Sequence, residues 1–219
     1  MHAQNSVTPP PTNPNAISTR GAAQLVLDFW FADGLQAGWP TREMKAIWFG
    51  GGPELDQLIT SQFGNYVVQA IQGELSAWEE QALDRLALIL LLDQFTRNVF
   101  RGSPRAFAGD IKSQQLVTDA MARNWDQQMP LVCRVFLYMP LMHAENLKLQ
   151  DQCVSRFTQL LHDAPETMKA RLQGHLDSAV QHRDIIERFG RFPHRNTAIG
   201  RVSTAAEDRF LLNGPRFGQ

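Results

Sequence analysis

Along most of this chain apolar residues recur every third or fourth position, the period of helices with one buried face. Ser18 or Thr19 caps an opening helix carrying Leu25, Leu27, Phe29, Trp30 and Phe31, and Asp33-Gly34 with Gly38-Trp39-Pro40 ends it. A short helix is expected from Thr41 to Phe49, closed by Gly50-Gly51-Gly52. Pro53 suits the first position of a helix over 53–72, with Leu55, Leu58, Ile59, Phe63 and Tyr66 on one side and Gly73 as its stop. Ser76 and Glu79 have the spacing of a capping box. The helix they predict runs through Leu83 and Leu86 into the unbroken apolar run 87–92, so it is enclosed on every side and central to the fold.

That helix turns polar abruptly at Asp93-Gln94-Phe95-Thr96-Arg97-Asn98. Ser103-Pro104 then predicts a helix with Phe107, Ile111, Leu116 and Met121, and Pro130 leads into an apolar helix that Pro140 must kink or end. An amphipathic stretch follows over 145–162. Pro165 opens the last long helix, 165–189, whose buried stripe of Leu172, Leu176, Ala179, Ile186 and Phe189 includes His182. Gly190 suits the left-handed residue that stops it. Thr204 and Glu207 make a second capping box for a terminal helix ending at Leu211-Leu212. No alternating strand pattern and no fixed repeat period is present. The pattern predicts an all-α chain of about nine helices in a single domain, 19–213, between a proline-rich tail (1–18) and a second tail (214–219).

A formal net charge of −1 argues against a general nucleic-acid or anionic-membrane binder. No run reaches the ~18 apolar residues of a membrane helix, and the first eighteen residues lack the basic start and apolar core of a signal peptide. Cys133 and Cys153, in apolar helical surroundings, read as buried free thiols, and a cytoplasmic protein is expected. Arginine outnumbers lysine seventeen to four. Codon bias is one cause; the other is use of planar guanidinium forks to hold carboxylates or phosphates.

Two segments concentrate the candidate chemistry. Gln94, Arg97, Asn98 and Arg101 share one helix face at the end of the most buried element, where a charge needs a partner or a cleft. The turn Phe189-Gly-Arg-Phe-Pro-His-Arg-Asn196 carries Arg191, His194, Arg195 and Asn196 on a backbone constrained by Pro193. The expectation is that Arg97 and Arg101 face this turn across a pocket, that Arg97, Arg101, Arg191 and Arg195 carry an anion there while His194 and Asn196 orient it, and that Asp93 and Glu145 hold the arginines, with Gln94 and Asn98 in support. Closure of each arginine against an acid or a helix end, as an interhelix lock, is the alternative. His143, Glu145 and His182 are the candidate acids and bases. His-x-Glu is no metal signature by itself, and Gly50-Gly51-Gly52 lacks the Gly-Lys-Ser/Thr ending of a phosphate loop, so neither a metal nor a cofactor is expected.

The stretches LVLDFWF (25–31), LALILLLDQFTRNVFRGSPRAFAGD (86–110), FLYMPLMHAEN (136–146) and RFGRFPHRNTAIGRVST (188–204) resemble a bacterial family, domain-of-unknown-function family 924, over about Ala22 to Leu212. The resemblance implies a tetratricopeptide-like right-handed superhelical array of antiparallel helix pairs and no established activity. Its polar positions are Asp93, Gln94, Arg97, Asn98, Arg101, His143, Glu145, Arg191, His194, Arg195 and Asn196. Ala144 departs from it, standing where a serine is expected. Three roles remain open: a pocket for an acidic small molecule or peptide carboxylate; a hydrolase or transferase acting on a phosphorylated or carboxylated metabolite; and a structural lock.

Overall fold

The structure is a computed structural model and describes residues 19–217; the tail expected over 1–18 lies outside them. Among the described residues there are ten α-helices and no strand. They are α1 (Thr19–Phe31), α2 (Gly34–Ala37), α3 (Pro53–Gln72), α4 (Ala82–Leu90), α5 (Thr96–Val99), α6 (Asp110–Ala122), α7 (Leu131–Met142), α8 (Leu147–Asp163), α9 (Glu166–Phe189) and α10 (Ala205–Leu211). A wide π turn, Leu91–Phe95, joins α4 to α5.

Helix α4 is the enclosed element that its composition predicts. Leu86 to Leu92 are all at most 2% exposed, and the helix packs against α1, α6 and α7. Phe29, Trp30 and Phe63 close on Phe95 at the π turn, with ring centroids 5.1–5.9 Å apart. Helices α7, α8 and α9 pack side by side in chain order, and the short connections between them make each neighbouring pair antiparallel. Leu25, Leu58 and Ile111 face outward, although each belongs to an apolar pattern.

Local signals hold where nothing distant competes. Gly73 and Gly190 end their helices with φ of 78° and 68°. Thr204 and Glu207 form their capping box, each side chain bonded to the other residue's backbone N–H. The box at Ser76 and Glu79 does not form, because Lys112 takes the Glu79 carboxylate at 2.6 Å and Arg85 takes its carbonyl. A 3-10 turn spans Ser76–Glu80 instead, Gln81 is extended, and α4 starts at Ala82. The helix expected over 41–49 shrinks to a π turn at Ala46–Gly50, since the Thr41 amide and hydroxyl both donate to Asp33. Ser103 donates to the Phe100 carbonyl rather than capping, so only a 3-10 turn (Pro104–Phe107) follows it and α6 waits until Asp110.

Gly109, just before α6, explains that delay. A Cβ there would lie 2.2 Å from the Leu92 carbonyl oxygen and 2.8 Å from the Leu92 Cα and carbonyl carbon. Only glycine lets the start of α6 press against the π turn, which delivers Asp110 to the polar end of the α4–α5 rod. Gly109→Ala is expected to cost at least ~3 kcal/mol of unfolding free energy, because both sides of the clash are backbone. Urea denaturation of the variant measures it; a loss below ~1 kcal/mol would mean that this approach is not rigid.

Candidate functional site

Arg97, on α5, and Arg195, on a 3-10 turn (Pro193–Arg195), meet at one carboxylate. Arg97 Nη2 donates to Asp110 Oδ1 at 3.0 Å and Arg195 Nη1 donates to Oδ2 at 3.0 Å. Asp110 is the first residue of α6, where the helix dipole also favours negative charge. The Arg195 guanidinium lies between the Phe107 and Phe192 rings, 4.7 Å from each centroid, and its Nη2 donates to the His143 carbonyl at 2.8 Å. Burial pulls Arg195 below the ordinary guanidinium value against the attraction of Asp110. Arg97 also feels burial, but Asp110 and Asp93 together outweigh it and hold it more firmly charged.

Asp93 is the second buried acid, 1% exposed. His143 Nδ1 sits 2.8 Å from its Oδ1 and 3.0 Å from its Oδ2, and Arg97 Nη2 is 3.4 Å away. Burial alone would raise the Asp93 pKa; Arg97 and His143 reverse that and hold the carboxyl well below the usual range. An ionised Asp93 therefore accepts from His143 Nδ1–H, so that in the neutral ring the lone pair is the one on Nε2. Nε2 has no hydrogen-bond partner among the described residues.

His143, Arg97 and Arg195 line a cavity of about 1080 Å³. Its walls come from the 39–53 segment, the π turn, the end of α7, the middle of α9 and the 194–195 turn. Trp30, Trp39, Trp48, Phe49 and Phe107 supply aromatic surface, and Trp48 is fixed by its Nε1–H donating to the Trp30 carbonyl at 2.8 Å. Gly50–Gly52 form part of the wall. Three more imidazoles line the cavity and are held neutral. Burial, then Arg171, lowers His175 to about 4; burial, then His143, lowers His182 to about 3; burial, then Arg195, lowers His194 to about 3. His182 Nδ1 donates to the Ser178 carbonyl at 2.7 Å, and its ring centroid is 6.1 Å from that of His143.

The two polar segments thus converge, with Arg97 and His194 on one cavity. Gln94 and Asn98 also line it, but Gln94 donates to Asp93, and Asn98 donates to Asp56 at 2.8 Å. Arg101 stands at the wall with its fork on Asp56. Three expectations need correction. Arg191 does not line the cavity: both its Nε and Nη2 bond Glu207, whose carboxyl is held down at about 2 by that bond. Asn196 is buried, and its amide donates to Ser203 Oγ at 3.1 Å, outside the cavity. Glu145 is outside it too, gripping Arg201 and the Phe192 N–H, so it supports neither Arg97 nor Arg101. The carboxylate that orients His143 is Asp93, and the one that ties the arginines is Asp110.

Asp110, Asp56, His175 and Phe217 were not singled out by sequence pattern. Asp110 had one local hint, the Gly-Asp pair that can start a helix; Asp56, in the first turn of α3, had none. Phe217, in the stretch assigned to a tail, packs on Ile185, Ile186 and Phe192 and lines the cavity. Among the described residues no group of three or more His, Cys, Asp or Glu side chains is placed to hold a metal. No helix among them is long and apolar enough to cross a membrane.

Asp110→Ala leaves two enclosed guanidiniums without their shared acid and is expected to cost about 3–5 kcal/mol in denaturant unfolding. The neutral histidines set the pH response. Their folded values lie below the unfolded ~6.5, so the unfolded chain takes up protons first, and stability present above pH ~6.5 is lost as pH falls toward 3. Each such imidazole contributes a slope of up to about 1.4 kcal/mol per pH unit. His182→Gln should flatten the curve between pH 6 and pH 4 by roughly one proton's worth; an unchanged slope would place His182 in contact with water.

The family model described as "Bacterial protein of unknown function (DUF924)" matches residues 26–215. A search of curated proteins found no match. Among solved structures, a protein of unknown function from Agrobacterium tumefaciens is similar, with 34% identity and a TM-score of 0.74, over 90% of this chain and 100% of that one. Neither description names an activity. The chain belongs to the family of bacterial proteins of unknown function DUF924.

Proposed function

We propose that the cavity is the active site of a hydrolase or transferase acting on a small carboxylated or phosphorylated molecule, with His143 as general base. The Asp93–His143 pair carries this reading. A buried carboxylate on Nδ1 orients the ring and stabilises the imidazolium that forms when Nε2 takes a proton. Arg97 and Arg195, immobilised by Asp110 and by the flanking phenylalanines, are fixed donors for negative charge that grows on the substrate. Trp39, Trp48 and Phe49 would hold its less polar body. A reducing, cytoplasmic setting belongs to the same proposal and is supported by Cys133 and Cys153, both buried free thiols.

Binding without chemistry is the second reading. It is favoured by Arg171, which lines the cavity over the Trp39 ring at 5.1 Å and has no ion-pair partner among the described residues. A lock role fits Arg101, Arg191 and Arg201, each of which has its fork closed on one carboxylate.

Three measurements separate the readings. Long-range 15N NMR should show that the neutral form of His143 carries its proton on Nδ1; the opposite tautomer removes the base. Inorganic phosphate and glutarate, titrated in thermal-shift experiments, should raise the wild-type midpoint, since a ligand at 100 Kd adds ~2.7 kcal/mol. Arg97→Lys, which keeps a charge for Asp110 but loses the fork, should abolish most of that shift. In a hydrolysis screen of phosphate monoesters and carboxylic esters, His143→Gln should keep the anion shift and lower turnover about 100-fold or more. A shift with no turnover selects the binding role; no shift rejects both.

A further inference from the structure

Phe217 occupies part of this cavity in a way that its backbone does not dictate. Its ring lies stacked on His182, with centroids 3.8 Å apart at 28°, and meets His194 edge-on at 5.3 Å. Among the described residues no backbone hydrogen bond ties 215–217 to the rest of the fold; the last ones in the chain are from Asn213 and Gly214 to the Phe210 carbonyl. Phe217 also has φ of 50°, the left-handed region that a bulky residue rarely enters. A residue held there against its backbone preference is held by its ring. The seat is an attractive one for an aromatic ring, because His182 and His194 are kept neutral and Phe192 closes the far side.

Resting on the functional reading above, we propose that the Phe217 seat is the subsite for the ring of an aromatic acid and that Phe217 is a displaceable plug in it. The ligand class is then an aryl or heteroaryl ring bearing a carboxylate or phosphate. His182 beneath the seat has His143 as its neighbour, with 6.1 Å between their ring centroids, and His182 and Arg195 both border Phe192, so the seat adjoins the Arg195 end of the cavity. Among the described residues, leaving the seat costs the 215–217 strap side-chain contacts and no backbone hydrogen bond, and the exposed Arg216 bonds the Leu211 carbonyl within the same chain end.

The test is calorimetric titration of benzoate and, separately, inorganic phosphate into the full chain and into Phe217→Ala. Emptying the seat should tighten benzoate about fivefold, the worth of one aromatic contact, and change phosphate less than twofold. Phe217→Leu, the milder variant should alanine fail to fold, should tighten benzoate by a smaller factor in the same direction. Benzoate affinity unchanged or weakened in the variants, with phosphate still bound, overturns the plug and leaves the functional reading standing. Neither anion binding to any form overturns both.

Discussion

Two guanidiniums and one carboxylate hold this molecule's polar centre together. Asp110 receives Arg97 from thirteen residues away and Arg195 from eighty-five residues away, all three within the fold's interior. The geometry depends on a glycine that brings α6 against the Leu92 backbone and on a π turn that ends the enclosed α4 run. In that wide turn the Leu92 carbonyl accepts from the Thr96 hydroxyl and the Asp93 carbonyl from Arg97, so side chains complete what the helix ladder leaves open. With the arginines anchored to an acid at one end, the space beside them stays a cavity.

Charge within that cavity is sorted by neighbourhood. Asp110 and Asp93 offset Arg97 and Arg195, so the polar floor is close to neutral and is distinguished by direction more than by net charge. His182 and His194 have cationic neighbours and no carboxylate bonded to them, and burial with that repulsion keeps them neutral. His143 differs in one respect: an ionised acid on its Nδ1. Four imidazoles on one cavity therefore divide into three that burial keeps neutral and one whose Nδ1 is bonded to a buried carboxylate. At the other end Arg171 and the aromatic residues set a charged group beside flat apolar surface.

Element positions were legible where the deciding contacts are a few residues apart. Pro53, Gly73, Gly190 and the Thr204–Glu207 box behave as their local chemistry dictates. The pattern failed where a distant side chain outbid a local one. Lys112 and Arg85 dismantled the Ser76–Glu79 box, and Asp33 captured Thr41 and shortened the following helix. Of the candidate site, the convergence of the two arginine segments was legible from their unusual polarity beside the most buried run. The identities of their partners were not.

Periodicity, composition and caps by themselves determined an all-helical chain, an enclosed α4, buried thiols and two polar segments that needed partners. Only the tertiary structure decided which acid each took, because an ion pair is chosen by distance in space, and nothing in the order of residues ranks Asp110 over Glu145 for Arg195. The same fold sent Arg191 to Glu207 and Glu145 to Arg201, away from the cavity, and brought Asp93 to His143 across fifty residues. Periodicity acts through neighbours one helical turn apart; a site is assembled from side chains that meet after the helices have packed.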